Sequence, residues 1–418
     1  MRQVEFDRRD VIKAFATIGG APAAPAFAAS AKANPNDEAE WAFVRDAFPL
    51  SIPMLNLNNA AISPHPLLVQ GALFNAHVYA NREPDVNMWE GLDARRAQTK
   101  RLLATLADCD PAEVALNRNA TEGLCTAIFG IPLAAGDEVL LSDWDCPAVR
   151  NAWVQRSKRE GISLKWVDFD LMANGDQVAA AYASAIGPRS KVLQLTHVVN
   201  HTGRALPVQR LCEMAREHDI QTVVDAAQSF AHINMSFRAF GCDYLATSLH
   251  KWLRAPFGTG MLIVGKSRIE ALWPHIAPAD AAAQGVEKLD HFSLGAYSSP
   301  AEAAIQTAIE FHNDIGPEVI RRRLQALSTY WVAQASDIDG LRIHTPMDGP
   351  DLGAITLFSV DGLEPEVIEH RLAADHHIRV DTRRQGSVVG VRVSPQIHIL
   401  KSDLDRFVDA LRQVTKTA

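Results

Sequence analysis

Short runs of aliphatic residues recur along the chain, separated by longer stretches in which apolar residues return every third or fourth position. The runs Val139–Leu141, Val192–Leu195, Thr222–Val224, Tyr244–Ala246 and Met261–Val264 are short and nearly continuous in apolar character, as strands buried on both faces are. Helical spacing covers Asp93–Leu106, Val208–His218 and Leu404–Val414. Strands separated by helix-sized intervals imply a largely parallel sheet covered on both faces, so the predicted class is α/β. Near Ser299 the pattern changes: Pro300 precedes a long helical stretch, Ala301–Asn313, and a strand pattern follows at Ala354–Ser359. The expectation is a large domain over 34–298 and a smaller α+β C-terminal domain over 299–418, with the segment 34–60 a candidate to pack on the smaller one.

A chain of 418 residues, 47% of them hydrophobic, can bury a substantial core and divide into about two domains. The formal net charge is −8, and no basic run is interleaved with aromatics, so nucleic acid is not the expected partner. The five cysteines are odd in number and lack metal-ligand spacing, which argues against a disulfide framework and against a metal site. At the N-terminus, Arg8 and Arg9 are followed by Val11, Ile12 and Lys13 and then by a weakly apolar, alanine-rich stretch, Ala14–Ala28. With Ala26-Phe27-Ala28 or Ala29-Ser30-Ala31 as a cleavage pattern, residues 1–33 resemble a twin-arginine export signal and its linker. A periplasmic or otherwise exported location is expected. Pro22 and Pro25 break the apolar stretch, and no other run reaches the roughly 18 apolar residues of a membrane span, so no membrane partner is expected after signal removal.

Candidate chemistry lies where the strands end. VVDAAQS (Val223–Ser229) closes one strand with Asp225, and SLHKW (Ser248–Trp252) places Lys251 just beyond another. In open α/β sheets ligands bind outside the carboxyl ends of the strands. A lysine and an aspartate in these places are what pyridoxal phosphate chemistry requires. The amine holds the cofactor's aldehyde as a Schiff base, and the carboxylate keeps the pyridine nitrogen protonated so that the ring accepts electrons from a substrate carbanion. Each residue alone has a plainer reading, Lys251 as a solvated charge and Asp225 as a helix N-cap. NATEG (Asn119–Gly123) offers the backbone amides of Ala120 and Thr121 and the Thr121 hydroxyl at a helix start, where an anion is favoured. Arg392, in GVRVSP, is either a planar clamp for a substrate carboxylate or a surface arginine on an edge strand.

Taken in chain order, LNNAA (Leu57–Ala61), NATEG, THVVNHTG (Thr196–Gly203), VVDAAQS, SLHKW, FGTG (Phe257–Gly260) and GVRVSP (Gly390–Pro395) resemble the class V aminotransferase family. That family includes cysteine desulfurases and isopenicillin N epimerase-like proteins, and the resemblance runs from about Asn56 to the C-terminus. It implies a PLP-dependent transferase fold of type I, pyridoxal 5'-phosphate as cofactor and a homodimer. It also implies roles: Lys251 and Asp225 in catalysis with His250, and Ala120, Thr121, Ser248 and His250 around the phosphate. Asn200 and Gln228 fall on the phenolic oxygen, Cys146 against the ring face, and Asn59 and Arg392 toward the substrate. Arg379, Arg383 and Arg384 either supplement Arg392 or form a solvated cluster.

Three departures qualify the resemblance. Cys146 stands where the family stacks a histidine or another aromatic; either Trp144 compensates or the ring is held less firmly, and the plain reading of Cys146 is a small buried hydrophobe. Ala296, in LGAYS (Leu294–Ser298), stands where relatives lend a threonine to the neighbouring subunit's phosphate, leaving Tyr297 or Ser298 to substitute. No cysteine follows Cys242, which argues against desulfuration through a persulfide but leaves β-elimination open. The expected activity is aminotransferase-type chemistry at Cα of a small amino compound or of a peptide-borne amino acid. Epimerisation and C–S lysis branch from the same first step, and a non-catalytic protein that retains the fold is the remaining alternative.

Overall fold

The computed structural model describes residues 34–50, 53–280, 282–349 and 351–416; the segment read as an export signal, 1–33, lies outside the described residues. Leu55–Asn56 forms a two-residue strand, β1. Seven further strands make the large sheet: β2 (Val114–Asn117), β3 (Glu138–Ser142), β4 (Ser163–Val167), β5 (Ser190–Thr196), β6 (Gln221–Asp225), β7 (Tyr244–Ser248) and β8 (Gly260–Val264). Their order is β2-β8-β7-β6-β5-β3-β4, parallel from β7 through β4, with β8 antiparallel to both β7 and β2. All five strand patterns read from the sequence fall on these strands. β4 carries Lys165 and exposed Trp166 on the open edge, so it lacks the continuous apolar run that marks its neighbours.

Alternation along each strand feeds two separate cores, because successive side chains point to opposite faces. Leu140, Leu193, Val224 and Leu245 pack with Val208 and Leu211 of the helix Val208–Glu217 on one face. Val139, Val192, Val223 and Ala246 pack on the other face with Leu124 and Ile128 of the helix Ala120–Gly130 and with Trp153 of the helix Pro147–Glu160. Strands β3 and β5 are neighbours although β4 lies between them in sequence, so the strand order reverses there and opens a crevice at their carboxyl ends.

The remaining strands are β9 (Leu341–Ile343), β10 (Thr356–Val360), β11 (Ile378–Arg379), β12 (Asp381–Gln385) and β13 (Val388–Val393). A four-stranded antiparallel sheet runs β12-β13-β10-β9, and β11 instead pairs in parallel with β1. Its core joins Trp331 of the helix Pro317–Gln334, Leu372 of Pro365–His376 and Phe407 of Lys401–Lys416 to Phe358 and Val391. The N-terminal segment closes on this part of the molecule: fully buried Arg323 pairs with Glu38 at 2.5 Å and donates to Ile399 O at 2.9 Å. The helix Ser299–Ile315 instead sends Ile305, Ala308 and Ile309 into the core of the large sheet. Among the described residues no helix is long and apolar enough to cross a membrane.

Candidate active site

Strand ends bring the chemistry together. Thr196, Asp225 and Ser248 are the last residues of β5, β6 and β7, and with Lys251, Cys146 and Asn200 they line one cleft whose far wall is the Ala120–Thr121 start of a helix. Asp225 is buried, and its Oδ1 accepts the Ala227 amide at 2.9 Å, so it caps the turn and still faces the cleft. Burial raises its pKa, while the Ala227 amide and the Lys251 charge oppose the rise. For Lys251 burial dominates and lowers the pKa, with Asp225 pulling the other way; the neutral amine needed for nucleophilic and base chemistry is thereby favoured. Among the described residues none hydrogen-bonds the Lys251 amine.

The donors around this pair suit the parts of pyridoxal phosphate. Asn200 Oδ1 is buried without a partner, and the Asn200 amide faces the cleft. Gln228 is pinned by two bonds, accepting from Trp252 Nε1 at 2.9 Å and donating to Ala60 O at 3.0 Å, which leaves one amide hydrogen for a phenolic oxygen. Trp252 in turn lies flat on His232, ring centroids 3.7 Å apart, and His232 Nε2 accepts the Ala354 amide at 2.7 Å. At the anion end, Asn119 caps the helix Ala120–Gly130 through Glu122 N, and Ser248 Oγ accepts Ala120 N at 2.9 Å. Ser248 thus takes the expected Ala120 amide, and Asn119 takes those of Glu122 and Gly123, so among the described residues the Thr121 amide is the one left without a partner at the positive dipole end, where a phosphate is favoured.

Glycines hold this end in place. Gly258, at φ +77°, makes a turn that a side chain would strain, and Gly260 lets β8 pass directly beneath the helix start. A Cβ at position 260 would lie 2.6 Å from Asn119 Cα and 2.7 Å from Asn119 N. Because backbone cannot swing aside, Gly260→Ala is expected to cost about 1–3 kcal/mol. Displacement of the Asn119–Ala120 turn is also expected to weaken pyridoxal phosphate binding by about tenfold, a loss of roughly 1.4 kcal/mol in binding. Thermal denaturation and titration of the apoprotein with the cofactor measure the two effects separately.

Other expected site residues stand elsewhere. His250 lies outside the cleft lining, its Nδ1 3.1 Å from Thr259 O. Trp144 donates Nε1 to Phe169 O at 3.3 Å and sits against His201, so it does not cover the face left by Cys146. The Tyr297 hydroxyl bonds Asp93, and Ser298 caps the helix Ser299–Ile315. Asn59 donates Nδ2 to Asn56 O at 2.9 Å and to Ser394 O at 3.0 Å, which fastens β1 to the end of β13 and engages both of its amide hydrogens. Its neighbour Asn58 is the one at the arginine, accepting from Arg392 Nη2 at 2.7 Å.

Arg392 is not an edge residue, since β13 lies between β12 and β10. It is buried, donates to Asn200 O at 2.8 Å and pairs with Asp381 at 2.7 Å, directly across the strand pair. Burial, reinforced by the charge of Arg383, pushes its pKa down to about 9, with Asp381 opposing.

Asp145 was not singled out from the sequence. It is buried just after β3, accepting from Thr196 Oγ1 at 2.7 Å and from Ser142 N at 2.8 Å. Burial pushes its pKa up to about 7, with the Asp225 charge adding to the rise and the two donors opposing it. An acid at the carboxyl end of a strand is the signal that marked Asp225, and it marks Asp145 equally. Between pH about 4 and about 7 the folded protein holds this proton and the unfolded chain does not, so stability falls as pH rises through that window and levels off above it. The fall attributable to this group is on the order of 4 kcal/mol at most. Asp145→Asn is expected to flatten the decline in Tm between pH 5 and 8, while lowering Tm at pH 5 through one poorer hydrogen bond.

The fold and cleft define a PLP enzyme of fold type I. A family model of class-V aminotransferases matches residues 56–407, and the chain belongs to that family, whose cofactor is pyridoxal 5'-phosphate. The chain is 28% identical over 396 residues to the isopenicillin N epimerase of Streptomyces clavuligerus, covering 90% of this chain and 99% of that one. Its fold is similar to the cystine C-S lyase C-DES in complex with cysteine persulfide, at TM-score 0.80 and 20% identity over 87% of this chain and 99% of that one. It is likewise similar to the cysteine desulfurase CsdA from Escherichia coli, at TM-score 0.78 and 20% identity over 92% of this chain and 99% of that one.

Proposed function

We propose that the protein removes the Cα proton of an amino acid, free or carried on a larger molecule, with Lys251 as the base. The observation that carries this reading is the Lys251 amine, largely buried beside Asp225, with its pKa lowered and no hydrogen-bond partner among the described residues. The bound cofactor supplies an electron sink for the carbanion. Asp225 holds the charge that keeps such a sink protonated, Asn200 and Gln228 orient it, and Arg392 holds the substrate carboxylate. Of the routes that follow, epimerisation is favoured by the likeness to the isopenicillin N epimerase over 90% of the chain. Aminotransferase-type exchange, the route expected on general grounds, is the second reading, within a family whose model carries the class-V aminotransferase description. Cys242 is buried and no cysteine follows it, so desulfuration through a persulfide is not proposed.

A homodimer is proposed, with exposed Ile276 and Leu294, which line a cavity together with Thr121, as part of the face for the second copy. Export is proposed from Arg8, Arg9 and the alanine-rich stretch behind them.

The test is isotope exchange. The holoenzyme is incubated in deuterium oxide with L- and D-amino acids and with short peptides bearing them, and the Cα proton is followed by NMR. Exchange in at least one compound is the expected result. Inversion of configuration then identifies an epimerase, an oxo acid formed with transfer of the amino group to an acceptor a transaminase, and an oxo acid formed with free ammonia and loss of the β substituent a lyase. No exchange in any compound, with cofactor bound, would count against the proposal.

A further inference from the structure

Strand β12 places Asp381, Arg383 and Gln385 on one face, because alternate residues share a side. Opposite them on β13 stand Arg392, Gly390 and Val388, so the bulk beside Arg383 is as small as a residue allows. From the large-sheet side, Arg150 reaches the same strip: it lies one turn into the helix that starts after Cys146, and its Nη2 donates to Gln385 Oε1 at 3.2 Å. Three guanidiniums therefore gather in one strip, joined to the cleft through the bond of Arg392 to Asn200. Asp381 pairs with both Arg392 and Arg383 and neutralises one charge. Among the described residues Arg150 bonds Asp143, at 3.3 Å and two-thirds exposed, and a neutral glutamine. Among the described residues the Nε atoms of Arg150, Arg383 and Arg392 are each buried without a partner, as is Nδ1 of His201.

We infer that Arg383 and Arg150, with His201 close enough to feel their charges, form a subsite for a second anionic group on the substrate, beyond the α-carboxylate held by Arg392. This rests on the proposed Cα chemistry and narrows its substrate class to amino acids whose side chain ends in a carboxylate or a comparable anion. Arg383 and Arg392 converge on the same Asp381 Oδ2, so the two guanidiniums are held side by side. The electrostatics agree as well, since Arg383, Arg392 and Arg150 all depress the pKa of His201, after the larger effect of burial, and bring it to about 4. His201 is therefore neutral at physiological pH, with one ring nitrogen to donate and one to accept. A group with two acceptor oxygens matches the donors left on Arg383 and Arg150, whose Nε atoms have no partner among the described residues.

The experiment is a spectral titration of the holoenzyme, following the cofactor band with alanine, aspartate, glutamate and the next longer dicarboxylic homologue. At least one dicarboxylic amino acid is expected to bind tenfold or more tightly than alanine. Arg383→Met and Arg150→Gln are each expected to reduce that ratio at least fivefold, and Arg383→Lys to restore part of it, with an unchanged cofactor band reporting an intact fold. Equal affinity for alanine and every dicarboxylic amino acid, or an unchanged ratio in both variants, overturns the subsite and leaves the Cα chemistry standing. A cofactor band that responds to no amino acid overturns the parent reading, and the subsite with it.

Discussion

Lys251→Ala is expected to abolish turnover, by about 10⁴-fold or more, while leaving the protein folded. The loss is large because one amine carries two duties, holding the cofactor and moving the Cα proton, and general base catalysis alone contributes about 10²–10⁴-fold. The fold survives because backbone bonds, not this side chain, hold the loop. Leu249 N donates to Thr259 O at 2.9 Å, Ala255 N to Leu249 O at 3.1 Å, and Arg254 N to Lys251 O at 3.3 Å. Truncation also removes a buried amine with no hydrogen-bond partner among the described residues, so Tm is expected to hold or rise. Turnover within tenfold of wild type would contradict the assignment of the base.

Asp225→Asn is expected to be the second most damaging change, lowering kcat by about 10²–10³-fold through loss of one preorganised charge. The substitution separates the two readings of this residue. Asparagine keeps an oxygen for the Ala227 amide and so retains the cap, which is worth about 1 kcal/mol, but it carries no charge to keep a pyridine nitrogen protonated. A purely structural Asp225 would leave kcat unchanged in this variant. A fall in kcat at unchanged Tm identifies the electrostatic role.

What the sequence discloses and what it conceals follow from the physics of each element. Buried parallel strands are legible because both faces must be apolar, and Val223-Val224 or Leu245-Ala246 can hardly be anything else. Edge strand β4 is obscured by solvent exposure at Trp166 and Lys165. Asp225 and Lys251 are legible because function puts a charge where an apolar strand ends. The asparagines are harder: Asn58 and Asn59 are adjacent, and only the pairing of β1 with β11 and the bridge to Ser394 decide which of them meets Arg392. The ties of Arg392 to Asp381, and of Arg150 to Gln385, join positions far apart in the chain or on facing strands. Their register depends on tertiary structure and leaves no local trace in the sequence. Trp144 shows the converse limit. Two residues from Cys146 it resembles a substitute for a stacking ring, but its indole is anchored on Phe169 O instead.

The central claim is that Lys251 holds pyridoxal phosphate in this cleft. The most direct measurement is the absorption spectrum of the purified protein with added cofactor, before and after borohydride, followed by mass analysis of the peptide that contains Lys251. The account predicts a band at about 420 nm that borohydride removes, with the reduced cofactor fixed on Lys251 and on no other lysine. A band absent after reconstitution, or reduced cofactor attached to a different lysine, would contradict it.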